Sequence, residues 1–536
     1  MPHPASPTVQ AANSSAPNAS QPAAPIPNAW ITRRWFTASG AAVAELASGI
    51  EPQAVFERLA HLPHTLFLDS ALVDGGSAPG GPAEAAGSTR PAPAAPRLGR
   101  HSFVAADPIH SVIVEPQGDA TDPDRVAAAF AGLRGLLADL AVATIPGLPP
   151  FQGGLAGLVS YECGLARIGV IAPRADVPLV SLHLYDVVCA FDHDTGHGWI
   201  ISQGVPARGP TTRRQRAAER LDAVLAALAA PGTSPAPTPD LSPASEPPAS
   251  MAATMTTTHS RERHVAMVRA GIELVRAGDI FQANLAQRMS LDATIDPIEL
   301  HRRSRRLNPA PFAACFAAGG GATIVSMSPE RLQQVSHGTV RMHPIKGTRR
   351  VLSLPEADLF AGEDLGGSVK DRAENVMIVD LVRNDLARVC RPESVRVEAL
   401  CRLERYRYVQ HLVSIVAGRL RPGLTALDAL DAAIPGGSVT GAPKHRACEI
   451  IRDLEGFPRG AYCGSLGYVG LDGTADWNLL IRTFVVTPTG VSFAVGGGIT
   501  AASDPAAEHA EALHKAEGML RVLATFGAAP TPEAAR

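Results

Sequence analysis

The sequence lacks the marks of several large function classes. Over 536 residues it has a formal net charge of only −3 and 18% charged residues, so it carries no electrostatic footprint for nucleic acid or an anionic membrane. Its seven cysteines are scattered, odd in number and never spaced C-x-x-C. That excludes a zinc ribbon or a disulfide framework, and they read as small buried hydrophobes of a reducing compartment. No His/Cys cluster suits zinc, no internal repeat is evident, and no apolar run reaches the length of a membrane span. Thr32–Phe36 (TRRWF) is similar to a twin-arginine export signal, but the apolar run after it is short and broken by Glu45. A cytoplasmic protein is expected.

What is present describes a chain with a large core. Hydrophobic residues make up 46% of it, enough for one big domain or two to three ordinary ones. Residues 1–28 have the composition of a disordered tail, and 231–259 are a Pro/Ala/Ser/Thr-rich linker. Between them lies an N-terminal region, 29–230; after them come a catalytic region, 260–527, and a tail, 528–536. In the first region the patterns predict helices over Ala54–Leu62, Val126–Ala143 and Thr212–Ala229. Thr65–Ser70, Phe151–Glu162 and Leu184–Asp192 read as strands.

The second region holds the chemistry. Met342–Arg349 (MHPIKGTR) places Lys346 between a proline and a glycine, in what reads as a turn after the strand-like run Gly338–Met342. Ser368 with Asp371 is a capping pattern that starts a helix carrying Glu374. Asp504-Pro505 starts another, on which Glu508, Glu511 and Lys515 share one face. A glycine triplet, Gly496–Gly498, ends a sheet just before it and lets a ligand approach bare backbone. Carboxylates from two helices suit a magnesium ion that keeps some water and is completed by an anionic substrate, although Glu511 and Lys515 could equally be a solvated i,i+4 pair. Gly436–Lys444 (GGSVTGAPK) fails as a Walker loop, because His445 follows the lysine and Pro443 removes an amide. It leaves a hydroxyl-bearing loop, with Ser438 and Thr440, that feeds a helix N-terminus suited to a carboxylate. Arg482 reads as a buried strand arginine that needs an anion, either a ligand or a structural aspartate. Tyr462 and His411 are weaker signals, residue types that more often pack in a core with a satisfied polar tip than line a site.

Taken in order, Lys370–Asn375 with Asp380–Asp385, Gly437–Lys444, Tyr462–Tyr468, Ile481–Thr483 and Gly496–Ile499 resemble the chorismate-binding enzymes. These are anthranilate synthase component I, aminodeoxychorismate synthase component I, and the isochorismate and salicylate synthases. The match covers Arg261–Leu523, with a weaker one over Leu66–Ser70, Gly99–Pro108 and Phe151–Glu162. The resemblance implies an α+β fold with two facing antiparallel β-sheets flanked by helices. It implies magnesium on Glu374 and Glu511, with Glu508 nearby. Thr348, Ser438, Thr440, Tyr462, Arg482, the amides of Gly496, Gly497 and Gly498, and Lys515 would bind substrate, and Glu330 and His411 would lie near the reacting ring.

Lys346 chooses within the family. Anthranilate synthases usually carry PIAGT where this chain has PIKGT, which resembles aminodeoxychorismate synthase. A lysine attacks only when neutral, so its pKa must fall through burial or neighbouring cations such as Arg349 and Arg350. The expected activity is amination of chorismate to 4-amino-4-deoxychorismate, the step before 4-aminobenzoate in folate synthesis. No cysteine sits in a nucleophile-elbow setting, so ammonia is expected from a separate glutamine amidotransferase subunit. The rivals are anthranilate synthase component I, with Lys346 incidental, and a catalytically silent subunit that binds an amino acid or regulates a partner.

Overall fold

The computed structural model describes residues 29–70, 98–117, 122–230, 255–350, 362–405 and 409–527. Both predicted tails, and all but the last residues of the 231–259 linker, lie outside them. Among the described residues the architecture is α+β, with one sheet of 13 strands and one of 10, every pairing antiparallel. Strands from the two regions interleave in both sheets. Leu66–Asp69 pairs with Phe312–Gly319 in the larger sheet, and Gly154–Val159 with Ser465–Gly470 in the smaller. The end of the predicted linker is itself a strand, Thr256–Thr257, hydrogen-bonded to Gln282–Leu291.

The two sheets share a core built from side chains of both. Phe151 stacks on Tyr468 at 4.5 Å between ring centroids, and Phe103 meets both rings edge-on. Gly157 is obligatory there: at φ +144° a Cβ would lie 2.1 Å from the Ser181 carbonyl oxygen. Phe151→Ala should cost about 3–5 kcal/mol by leaving a cavity in this layer, read as a lowered thermal midpoint. Among the described residues no helix is long and apolar enough to cross a membrane. All seven cysteines are buried free thiols.

Two expected strands differ, and one segment read without an element forms a strand. Leu184–Asp192 is not one strand: Val180–Tyr185 belongs to the smaller sheet and Val187–Asp192 to the larger. The chain changes sheet at Asp186, whose buried carboxylate takes a fork of bonds from Arg220 at 3.0–3.1 Å. In the predicted Phe151–Glu162 strand only Gly154–Val159 is extended; Tyr161–Arg167 is a helix capped by the Ser160 hydroxyl. Ile31–Phe36, the export-like segment, is a strand paired with Ala42–Leu46.

Candidate functional site

Lys346 lies on a strand, Ile345–Arg350, and not in the turn its neighbours predict. The strand pairs with Val409–Arg419, and its register skips between Lys346 and Thr348. Gly347, at φ +74°, takes up the irregularity; a side chain there would meet Leu365 at 2.7 Å. The glycine thus makes a bulge, which interrupts the pairing beside the lysine without ending the strand.

The half-buried Lys346 ammonium donates to the Ser438 carbonyl at 3.0 Å. The Ser438 hydroxyl donates to Glu330 Oε1 at 2.8 Å. One residue of the glycine-rich loop therefore joins the amine to the buried carboxyl. Burial pushes the Lys346 pKa down, Lys515 adds to this, and the charges of Glu374, Glu330 and Glu511 oppose it. Burial lifts Glu330 to about 7 against the Ser438 hydrogen bond, the Lys346 charge and the Ile345 backbone. Both groups are drawn towards their neutral forms, which is what an attacking amine and a proton-donating acid require.

Two helices bring the remaining charges. Ser368 caps Val369–Ala387 by accepting from the Asp371 amide at 3.2 Å, and Asp504 caps Pro505–Ala524 through the amides of Ala506 and Ala507. Both caps stand where the sequence predicts them. Burial raises the Glu374 pKa, the like charges of Asp371 and Glu508 add to that, and Lys346 and Lys370 oppose it. Glu508 is buried and accepts from the Ser503 hydroxyl at 2.7 Å, with Lys370 at 3.9 Å. Burial acts to raise Glu511, but Lys515, Lys370 and Lys346 more than offset it and leave the carboxyl below its ordinary range. The i,i+4 pair of Glu511 and Lys515 forms at 2.8 Å and is open to solvent, yet Lys515 also donates to the Gly496 carbonyl at 3.0 Å. The glycine triplet does not end its sheet. It lies inside the strand Gly490–Ile499, with Gly497 facing Glu508 and Lys515.

Among the described residues no three His, Cys, Asp or Glu side chains form a ready-made metal cage. The donors fit magnesium on other grounds. They are hard oxygens, Glu374 and Glu508 feel each other's charge, and magnesium is commonly held by only one or two carboxylates with water and substrate completing its shell.

Arg482 precedes the strand Thr483–Thr487 in a left-handed conformation, φ +51°, where a strand position was expected. Its guanidinium has no hydrogen bond or ion pair among the described residues, so the structural-aspartate alternative fails there. Burial lowers its pKa. His411, buried on the strand opposite Thr348, is held down to about 4 by burial and by the Arg482 charge, against a hydrogen bond to the Gly347 backbone. Tyr462 is buried in a turn ahead of Ser465–Gly470. The Thr440 hydroxyl closes its own loop onto the Gly436 carbonyl at 2.9 Å. The side chains of Thr348, Arg349 and Arg350 lie outside the described residues.

Sequence patterns missed a buried group behind this site: Glu162, Glu455 and Arg459. Arg459 stacks 4.7 Å from the Tyr161 ring and 5.6 Å from that of Tyr462. The only available signal was an i,i+4 Glu/Arg pair among apolar residues, a spacing normally found on solvated helix faces.

Residues 96–521 match the family described as chorismate binding enzyme. The chain is 39% identical over 463 residues to anthranilate synthase component 1 of Streptomyces coelicolor, covering 85% of this chain and 88% of that protein. It is 38% identical over 378 residues to aminodeoxychorismate synthase component 1 of Klebsiella aerogenes, covering 70% and 78%. Anthranilate synthase component I from Streptococcus pneumoniae shares its fold with a TM-score of 0.65 at 30% identity, over 82% of this chain and 95% of that one.

Proposed function

The chain belongs to the chorismate-binding enzymes, and on that premise we propose that it is an aminodeoxychorismate synthase component I, converting chorismate and ammonia to 4-amino-4-deoxychorismate. The observation that carries this is the Lys346 amine, held 3.0 Å from Ser438 beside Glu330 and drawn towards its neutral form by burial. In this reading neutral Lys346 attacks C2 of chorismate. The ring double bonds shift, and the 4-hydroxyl takes the Glu330 proton and leaves as water. Ammonia then adds at C4, the double bonds shift back, and Lys346 is expelled from C2. Arg482 and Lys515 supply positive charge for the substrate carboxylates, and Ser438 keeps acid and amine in register. Magnesium, held by Glu374 and Glu511 with Glu508 nearby, would neutralise charge on the ring carboxylate.

Ammonia would come from a separate glutamine amidotransferase subunit, the product would feed 4-aminobenzoate and folate synthesis, and the enzyme would work in the cytoplasm. Incubating the purified chain with chorismate, magnesium and ammonium should yield 4-amino-4-deoxychorismate, identified by mass and ultraviolet spectrum. Fluorescent anthranilate instead would overturn the assignment. That second reading, anthranilate synthase component I, is favoured by the 39% identity to an enzyme of that name. Glu374→Gln and Glu511→Gln should each weaken magnesium binding by about 10–100-fold or more, measured by calorimetric titration with chorismate present. Unchanged affinity in either would remove that carboxylate from the metal site.

A further inference from the structure

Arg459 and Glu455 are almost wholly buried, at 3% and 2% exposure, and bonded to each other at 2.5 and 2.9 Å. The Arg459 guanidinium spends all five donors: two on Glu455, one on the Val439 carbonyl at 2.9 Å, one on the Asn284 carbonyl at 2.7 Å and one on Cys463 Sγ at 3.5 Å. Glu455 also accepts from the Ala286 amide at 2.8 Å, and Ala286 is in register with Gly496. Glu162, from the N-terminal region, accepts from the amides of Arg459 and Gly460 at 2.7 and 3.0 Å. A single side chain thus ties the Ser438 loop to the strand beside the glycine triplet and lies against the Tyr462 ring.

We infer that Arg459 is a positioning residue: clamped by Glu455, it fixes the Val439 carbonyl and with it the adjacent Ser438 peptide, which holds the Lys346 amine to the Glu330 carboxyl. Buried ion pairs can often be replaced by apolar groups without loss of stability, so this pair is explained by geometry better than by folding energy. The planar fork is essential, because a lysine offers donors from one point and cannot reach Val439, Asn284 and Glu455 together.

The inference rests on Lys346 and Glu330 acting as proposed, so its test also reads Lys346 without turnover. Arg459→Lys and the charge-free double variant Arg459→Met/Glu455→Gln are compared with the parent in kcat, KM for chorismate, and pH-dependent acetylation of Lys346 by acetic anhydride, read by mass spectrometry. Both variants should lose about 100-fold in kcat, the scale of a 1 Å misplacement, with a smaller rise in KM. The acetylation midpoint of Lys346 should move up towards that of an ordinary lysine as water enters the loosened loop. Unchanged kcat and acetylation midpoint in the folded variants overturn the inference, and if Arg459→Lys does not fold, the double variant decides. A parent that makes anthranilate would defeat the product assignment and leave the acetylation result to judge Arg459 alone.

Discussion

Lys346→Ala is expected to lose C4 amination of chorismate by about 10³-fold or more, because the proposed covalent route through C2 has no nucleophile left. In the proposed chemistry the space freed by the substitution lets ammonia itself reach C2, so the residual product should shift to the 2-amino isomer. Liquid chromatography separates the two isomers, which share one mass, and anthranilate fluorescence would add to this only where the 2-amino isomer goes on to lose its enolpyruvyl group as pyruvate. Lys346→Arg is the companion variant: its guanidinium keeps the bulk and charge but is never neutral, so it should be inactive without the change of product. If alanine at this position leaves C4 amination at the parental rate, ammonia attacks C4 directly, and the bond from Lys346 to Ser438 serves only to orient the loop.

Glu330→Gln should lower kcat/KM by about 10²–10⁴-fold, the range for losing a general acid. Its pH signature is more specific. The proposed chemistry needs Glu330 protonated and Lys346 neutral, so the rate should rise with pH as the lysine loses its proton and fall as the carboxyl loses its own. Burial holds the Glu330 carboxyl at about 7, well above a free glutamate, so one of the two turning points of kcat/KM should lie near pH 7. Whichever limb it bounds, that turn should vanish in Glu330→Gln, while the one belonging to Lys346 persists. A glutamine variant whose profile keeps the turn near 7 would assign that titration elsewhere, with the buried Glu162, also lifted to about 7, the next group to examine.

Helix caps were the most legible features, since Ser368 and Asp504 act through hydrogen bonds within three residues of themselves. Arg482 stood out by type, as a buried arginine in need of an anion, whereas Glu330 entered only through the family resemblance, as did the two sheets. The misplacements share a cause. Pro344 and Gly347 signal a break, but the pairing with Val409–Arg419 absorbs the glycine as a bulge and carries the strand on. Leu184–Asp192 reads as one apolar run because both sheets bury their strands, and the Arg220 that meets the Asp186 carboxylate at the crossing point is distant in sequence. Arg459 escaped notice for the same reason: its five acceptors are scattered from Asn284 to Cys463, and no local pattern announces a partner so far along the chain.

The interleaving of the two regions governs how the protein must be made. While the ribosome is still adding the middle of the chain, Leu66–Asp69 has no Phe312–Gly319 to meet, and Gly154–Val159 waits for Ser465–Gly470, more than three hundred residues later. The nascent amino-terminal portion therefore carries bare, apolar sheet margins through most of translation, the state in which chains aggregate most readily. Such separations also slow spontaneous refolding, because widely spaced segments must find each other before either gains from pairing. Synthesis beside a chaperone that shields those margins should thus raise the yield of enzyme more than any change to the site itself.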